Sequence, residues 1–98
     1  MLTGHASHSG TARFRSRFPA LAESGHFRQP EHVLHLSHLW LSSIGIGTYL
    51  GEPDEAADQR YTEAVLCAIA GGVNVLDSAI NYRLQRSERS IGAALRKL

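Results

Sequence analysis

Hydrophobic positions fall into regular patterns from about residue 32 onward, and before it they do not. His32 to Leu41 alternates loosely and is rich in Leu, Val and Trp, which predicts a short strand or a hairpin. Ile44 and Ile46 are spaced by two, so residues 43–48 read as a short strand. Gly45 and Gly47 leave one face of it bare, as happens where backbone approaches another group closely. Gly51, Pro53 and Asp54 mark a loop and a helix start. Tyr61, Ala64, Val65, Ala68 and Ile69 then recur at helical spacing, and Gly71 and Gly72 end that helix. Val73 to Asp77 reads as a second short strand. Ser87 is placed to cap the next helix, with Glu88 near its positive end. Ile91, Ala94, Leu95 and Leu98 give that helix an apolar stripe.

The predicted order is strand, helix, strand, helix. This alternation argues for an α/β fold with parallel strands covered by helices. Two strands cannot close a barrel, so the second would remain an edge. Residues 1–30 differ in character: Gly, Ser, His and Arg dominate, and apolar residues are scattered without a period. That composition predicts a disordered N-terminal extension, with the folded domain over 31–98. An organellar transit peptide shares the Arg-rich, acid-poor bias, but no good amphipathic helix runs through the segment.

Composition removes several function classes. Ten basic residues stand against nine acidic ones, which gives no case for nucleic acid or a charged membrane surface as partner. The longest apolar run, Ala64 to Ala70, falls far short of the roughly 20 residues of a membrane helix. Cys67 is the single cysteine, so no internal disulfide can form, and it reads as a small residue packed inside its helix. His32, His35 and His38 recur every third residue without an acid or cysteine to complete a metal site, so no metal is expected. Gly45, Gly47 and Gly51 miss the spacing of a dinucleotide-binding loop. Arg83, Arg86 and Arg89 read as a solvated surface.

Asp77 and Tyr82 carry the candidate chemistry. Asp77 ends the second predicted strand, and Tyr82 lies in the loop that follows. Reducing a carbonyl requires a hydride at carbon and a proton at oxygen, and a positioned general acid supplies the proton. A tyrosine can do this once its neighbours tune it from an ordinary pKa of about 10.

The residues Asp77, Ala79, Tyr82, Ser87, Glu88, Ile91 and Gly92 stand in a register that closely resembles the active-site segment of the aldo-keto reductases. In that family the pattern is Asp-Thr-Ala-x-x-Tyr followed by Ser-Glu-x-x-Ile-Gly; Ser78 here replaces the threonine. Gly45 to Thr48 is similar to the family's first-strand signature, and Gly71 to Asn74 to its approach to the second strand. The likeness spans about residues 39–98.

The resemblance implies the N-terminal βαβα portion of a (β/α)8 TIM barrel, left incomplete. It implies an NADP-dependent oxidoreductase of the cytoplasm that reduces aldehydes or ketones with NADPH, NADH being the possible substitute. Tyr82 would be the proton donor, supported by Asp77, which would also lie near the nicotinamide ribose. Gly47, Thr48 and Tyr49 would line the cofactor and substrate pocket. The family's later lysine and histidine have no counterpart among these residues, so the chain by itself is expected to be inactive. The alternative is a non-catalytic remnant or interaction segment, completed by another chain.

Overall fold

The computed structural model describes residues 4–98. Within the segment expected to be a disordered extension, residues 8–16 and 19–23 form helices. α1 (His8–Ser16) starts at Ser7, whose hydroxyl accepts the Gly10 N–H at 3.0 Å. α2 (Pro19–Glu23) begins with proline at its first turn, where the missing N–H costs nothing. β1 (Phe27–Arg28) follows. Phe14, Phe18 and Phe27 hold these pieces together, their ring centroids 5.1, 6.0 and 6.3 Å apart. The Arg15 guanidinium lies 4.4 Å from the Trp40 ring centre. Composition hides this cluster because its three phenylalanines follow no period and meet only after folding.

Residues 32–41 are mostly turn rather than strand. A 3₁₀ turn (Leu34–Leu36) leads to β2 (Leu41–Ser42), which pairs antiparallel with β1 through Phe27 opposite Ser42. Asn74 fastens this pair to the rest of the molecule. Its Oδ1 accepts the Ser42 N–H at 2.8 Å, and its Nδ2 donates to the Trp40 carbonyl at 2.9 Å. The Asn74 N–H in turn donates to the Ser42 hydroxyl at 3.1 Å.

The second half follows the predicted order. β3 (Ile46–Gly47) and β4 (Leu76–Asp77) pair in parallel, with α3 (Glu55–Ala70) as the crossover and α4 (Arg86–Arg96) after them. Asp54 caps α3 by accepting the Ala57 N–H at 2.9 Å, and Glu55 and Asp58 add negative charge to its first turn. The molecule is a small mixed helix and strand domain with two two-stranded sheets and no closed barrel among the described residues.

Close packing sets the details. Val65 on α3 and Ala94 on α4 are fully buried, and the Thr62 hydroxyl donates to the Asp58 and Ser90 carbonyls. Ser90 and Ala94 are small, so α4 can approach α3 closely. Cys67 is exposed, contrary to its expected place inside the helix, because it lies off the face marked by Thr62 and Val65. Gly45 does mark a close approach: a Cβ there would stand 2.9 Å from the Val75 carbonyl oxygen.

Two glycines should separate cleanly on substitution. Gly72 has φ +99°, and a Cβ on it would meet Leu21 at 2.7 Å, whereas Gly47 faces open space. Gly72→Ala is therefore expected to cost about 1–3 kcal/mol in urea unfolding, from left-handed strain plus the clash with α2. Gly47→Ala is expected to stay within about 0.5 kcal/mol of the parent.

Candidate active site

Residues 47–49, 77 and 82 converge at the C-terminal ends of the parallel pair. The register sets Gly47 beside Asp77. One residue on, the Thr48 hydroxyl donates to the Asp77 carbonyl at 2.8 Å, so the ends of both strands are tied. Thr48 is fully buried. Asp77 is exposed at the strand end. Tyr49 and the half-buried Tyr82 meet edge to face, centroids 5.1 Å apart. The structure thus brings Gly47 and Thr48 to Asp77, and Tyr49 to Tyr82, in the segments that follow the two strands.

Ser87 plays a different part from the one expected. The position before α4 is Gln85, in left-handed conformation, and Ser87 sits inside the first turn. Its fully buried hydroxyl donates to the Thr48 carbonyl at 2.5 Å. Two hydroxyl-to-carbonyl bonds therefore tie α4 to Thr48 and Thr48 to Asp77. They fix the helix to the site rather than capping its N-terminus.

Arg83 was expected on a solvated surface, yet its side chain is 1 % exposed. Its Nε donates to the Glu52 carbonyl at 3.0 Å, and its Nη2 to Asp58 Oδ1 at 2.6 Å and to the Asp54 carbonyl at 3.4 Å. The guanidinium also lies 4.7 Å from the Tyr61 ring centre, and the Tyr61 hydroxyl donates to the Leu50 carbonyl. Arg86 holds the other carboxylate oxygen, Asp58 Oδ2, at 2.5 Å. One carboxylate on α3 thereby binds two arginines from the Tyr82 loop and the start of α4.

This clamp accompanies unusual backbone. Arg83, Leu84 and Gln85 have φ of 49°, 56° and 71°. Left-handed conformation costs a residue with a Cβ roughly 1–2 kcal/mol. The turn buries Arg83 while leaving Leu84 exposed. The anchored guanidinium compensates by fixing the residue directly after Tyr82. Sequence reasoning missed the clamp because Asp58 and Arg83 lie 25 residues apart and neither belongs to a motif.

Burial pushes the Asp58 carboxyl up, but the hydrogen bonds from Arg83 and Arg86, with their positive charges, outweigh it and hold it below its ordinary range. A depressed folded-state pKa contributes stability that is present above the unfolded-state value and is lost as pH falls through the folded one.

Two further observations concern what could sit here. The Ser78 hydroxyl, next to Asp77, is buried without a hydrogen-bond partner. Tyr49, Leu50 and Ile80 are 67 %, 75 % and 69 % exposed, an apolar rim around the strand ends. Among the described residues no group of His, Cys, Asp or Glu could hold a metal ion, and no helix is long and apolar enough to cross a membrane. Comparison with protein-family models, curated proteins and solved structures finds no match to this chain.

Acid titration of stability checks the clamp. The urea midpoint is expected to fall as pH drops below about 4, the ordinary carboxylate range. Asp58→Asn should lower the midpoint at neutral pH and flatten that acid dependence. An unchanged acid limb in this variant would remove Asp58 from the account.

Proposed function

We propose that this chain is the N-terminal βαβα part of a (β/α)8 barrel that reduces aldehydes or ketones with a nicotinamide cofactor, preferentially NADPH. The observation that carries the reading is the convergence of Gly47, Thr48, Tyr49, Asp77 and Tyr82 at the C-terminal ends of two parallel strands. In such barrels the active site gathers at that face. The resemblance of residues 77–92 to the aldo-keto reductase segment supplies the roles.

The residues fit a flat nicotinamide ring. Gly47 leaves open space above the strand end, Tyr49 presents an exposed ring beside it, and the orphaned Ser78 hydroxyl lies next in the chain to Asp77. When bound, the cofactor supplies a hydride for the substrate carbon. Tyr82 then gives its hydroxyl proton to the carbonyl oxygen as charge develops there. By the same resemblance, Asp77 would act on Tyr82 through a cation delivered by a later strand. In the completed site the Tyr49 and Tyr82 rings, with Leu50 and Ile80, would present an apolar wall to the carbonyl.

The second reading, a non-catalytic segment that pairs with another chain, draws on the same exposed apolar residues. Ile44, Leu50, Ile80 and Leu84 would be covered equally well by strands from a partner.

In the protein that contains the completing strands, Tyr82→Phe is expected to lower kcat for carbonyl reduction by about 10²–10⁴-fold, the range a general acid contributes, with NADPH affinity unchanged. The 98-residue chain alone is expected to consume no NADPH above its own Tyr82→Phe variant. A complete protein whose Tyr82→Phe variant keeps full activity would rule out the proton-donor role.

A further inference from the structure

A second site lies at the other ends of the strands, in residues the reductase reading leaves unused. Ser43 precedes β3, Gly72 precedes β4, and His26 precedes β1. The three meet through one imidazole. His26 Nε2 lies 2.9 Å from the Gly72 carbonyl oxygen, and His26 Nδ1 lies 3.2 Å from the Ser43 hydroxyl.

The carbonyl decides the tautomer. A carbonyl oxygen can only accept, so Nε2 must carry the proton and donate it. A neutral imidazole then has a bare Nδ1, and the Ser43 hydroxyl must be the donor. The hydroxyl proton thus points at a base whose far side is held by an acceptor. That is the nucleophile, base and orienting-group arrangement of serine acyl transfer, with a backbone carbonyl in the third role.

The arrangement is held from several sides. The Ser43 N–H donates to the His26 carbonyl at 2.7 Å, which fixes the two residues against each other. The His26 ring packs edge-on against Phe27, centroids 4.8 Å apart. Asn74 pins the neighbouring Ser42. Gly72 is wedged against Leu21 and Phe18. Ser43 itself is exposed, and Ile44 beside it is 63 % exposed. Ile44 and Gly45 follow Ser43 outside the strands, and in the reaction proposed below their backbone N–H groups would be the donors for a developing oxyanion.

We propose that Ser43 is an acyl-accepting nucleophile activated by His26, and that it takes small activated esters with an apolar acyl group. Ser43 Oγ adds to the ester carbonyl carbon while its proton passes to His26 Nδ1. The acyl carbon–oxygen bond to the leaving group then breaks, and the leaving oxygen takes that proton. The products are acyl-Ser43 and the free alcohol. Water repeats the sequence and releases the carboxylic acid.

A fluorophosphonate probe tests this on the full chain, read by intact mass and peptide mapping; labelling forms the phosphorus–oxygen bond to Ser43 and expels fluoride with the hydroxyl proton. Ser43 is expected to label at least about 100-fold faster than the exposed Ser9 and Ser16, the low end of what a positioned base contributes, and His26→Gln should remove that advantage. Equal labelling of the three serines would overturn the proposal. Because His26→Gln could loosen the fold, Ser43→Cys provides a second reading with the histidine intact. Its new thiol should be alkylated by iodoacetamide at least about tenfold faster than the exposed Cys67 in the same molecule. Equal rates for the two thiols would also overturn it.

Discussion

The buried Arg83 guanidinium is the interaction on which the second half of the molecule depends. It reaches from the loop after β4 to the entry of α3, where the Glu52 and Asp54 carbonyls ahead of the helix and the Asp58 carboxylate in its first turn receive it. A buried charge without such partners would be strongly unfavourable. With them, the chain between Tyr82 and α4 has little freedom left, even though three consecutive residues there are left-handed. Arg86 binds the same carboxylate from the start of α4, so one acid on α3 sets the position of the loop and of the next helix.

The strands themselves are too short to do this. β3 and β4 contribute two residues each, and their pairing alone could not hold the residues at their ends in place. Side-chain ties extend them: Thr48 to the Asp77 carbonyl, and Ser87 to the Thr48 carbonyl. At the opposite ends, Asn74 and His26 do the equivalent work by fastening β2 and the N-terminal helices to the approach to β4. The small domain is thus stitched by polar side chains meeting backbone, while its fully buried apolar residues are few. That pattern explains why rigid geometry occurs at both ends of the parallel pair.

What was legible in the sequence follows physical range. Local signals were read correctly where a helix begins or ends: Asp54 at the start of α3, and Gly71 and Gly72 as its stop, whereas the strand expected over residues 43–48 shrinks to Ile46–Gly47 because Ser43 and Ile44 lie in a bend. The parallel pairing followed from the helix between the strands. Close approach at Gly45 was also visible, since bare backbone in a strand has few other uses. The reading lost ground where the deciding contact joins distant residues. Ser87 looks like a cap until Thr48 offers its carbonyl. Arg83 looks solvated until Asp58 and the Glu52 and Asp54 carbonyls ahead of α3 surround it. The aromatic core of residues 14–27 looks like disorder because its rings are not periodic. The clamp that holds Tyr82's loop left no mark in the sequence, because Asp58 and Arg83 meet only after folding.

A double-mutant cycle between Arg83 and Asp58 tests the central dependence most directly. Arg83→Met, Asp58→Asn and the pair would be compared by urea unfolding at neutral pH, with the Tyr49–Tyr82 ring contact followed by proton NMR. If the clamp organises the loop, the two sites couple by about 1–3 kcal/mol, and the ring contact weakens in either single variant. Additive losses with an undisturbed Tyr49–Tyr82 contact would contradict it and place the control of the loop elsewhere.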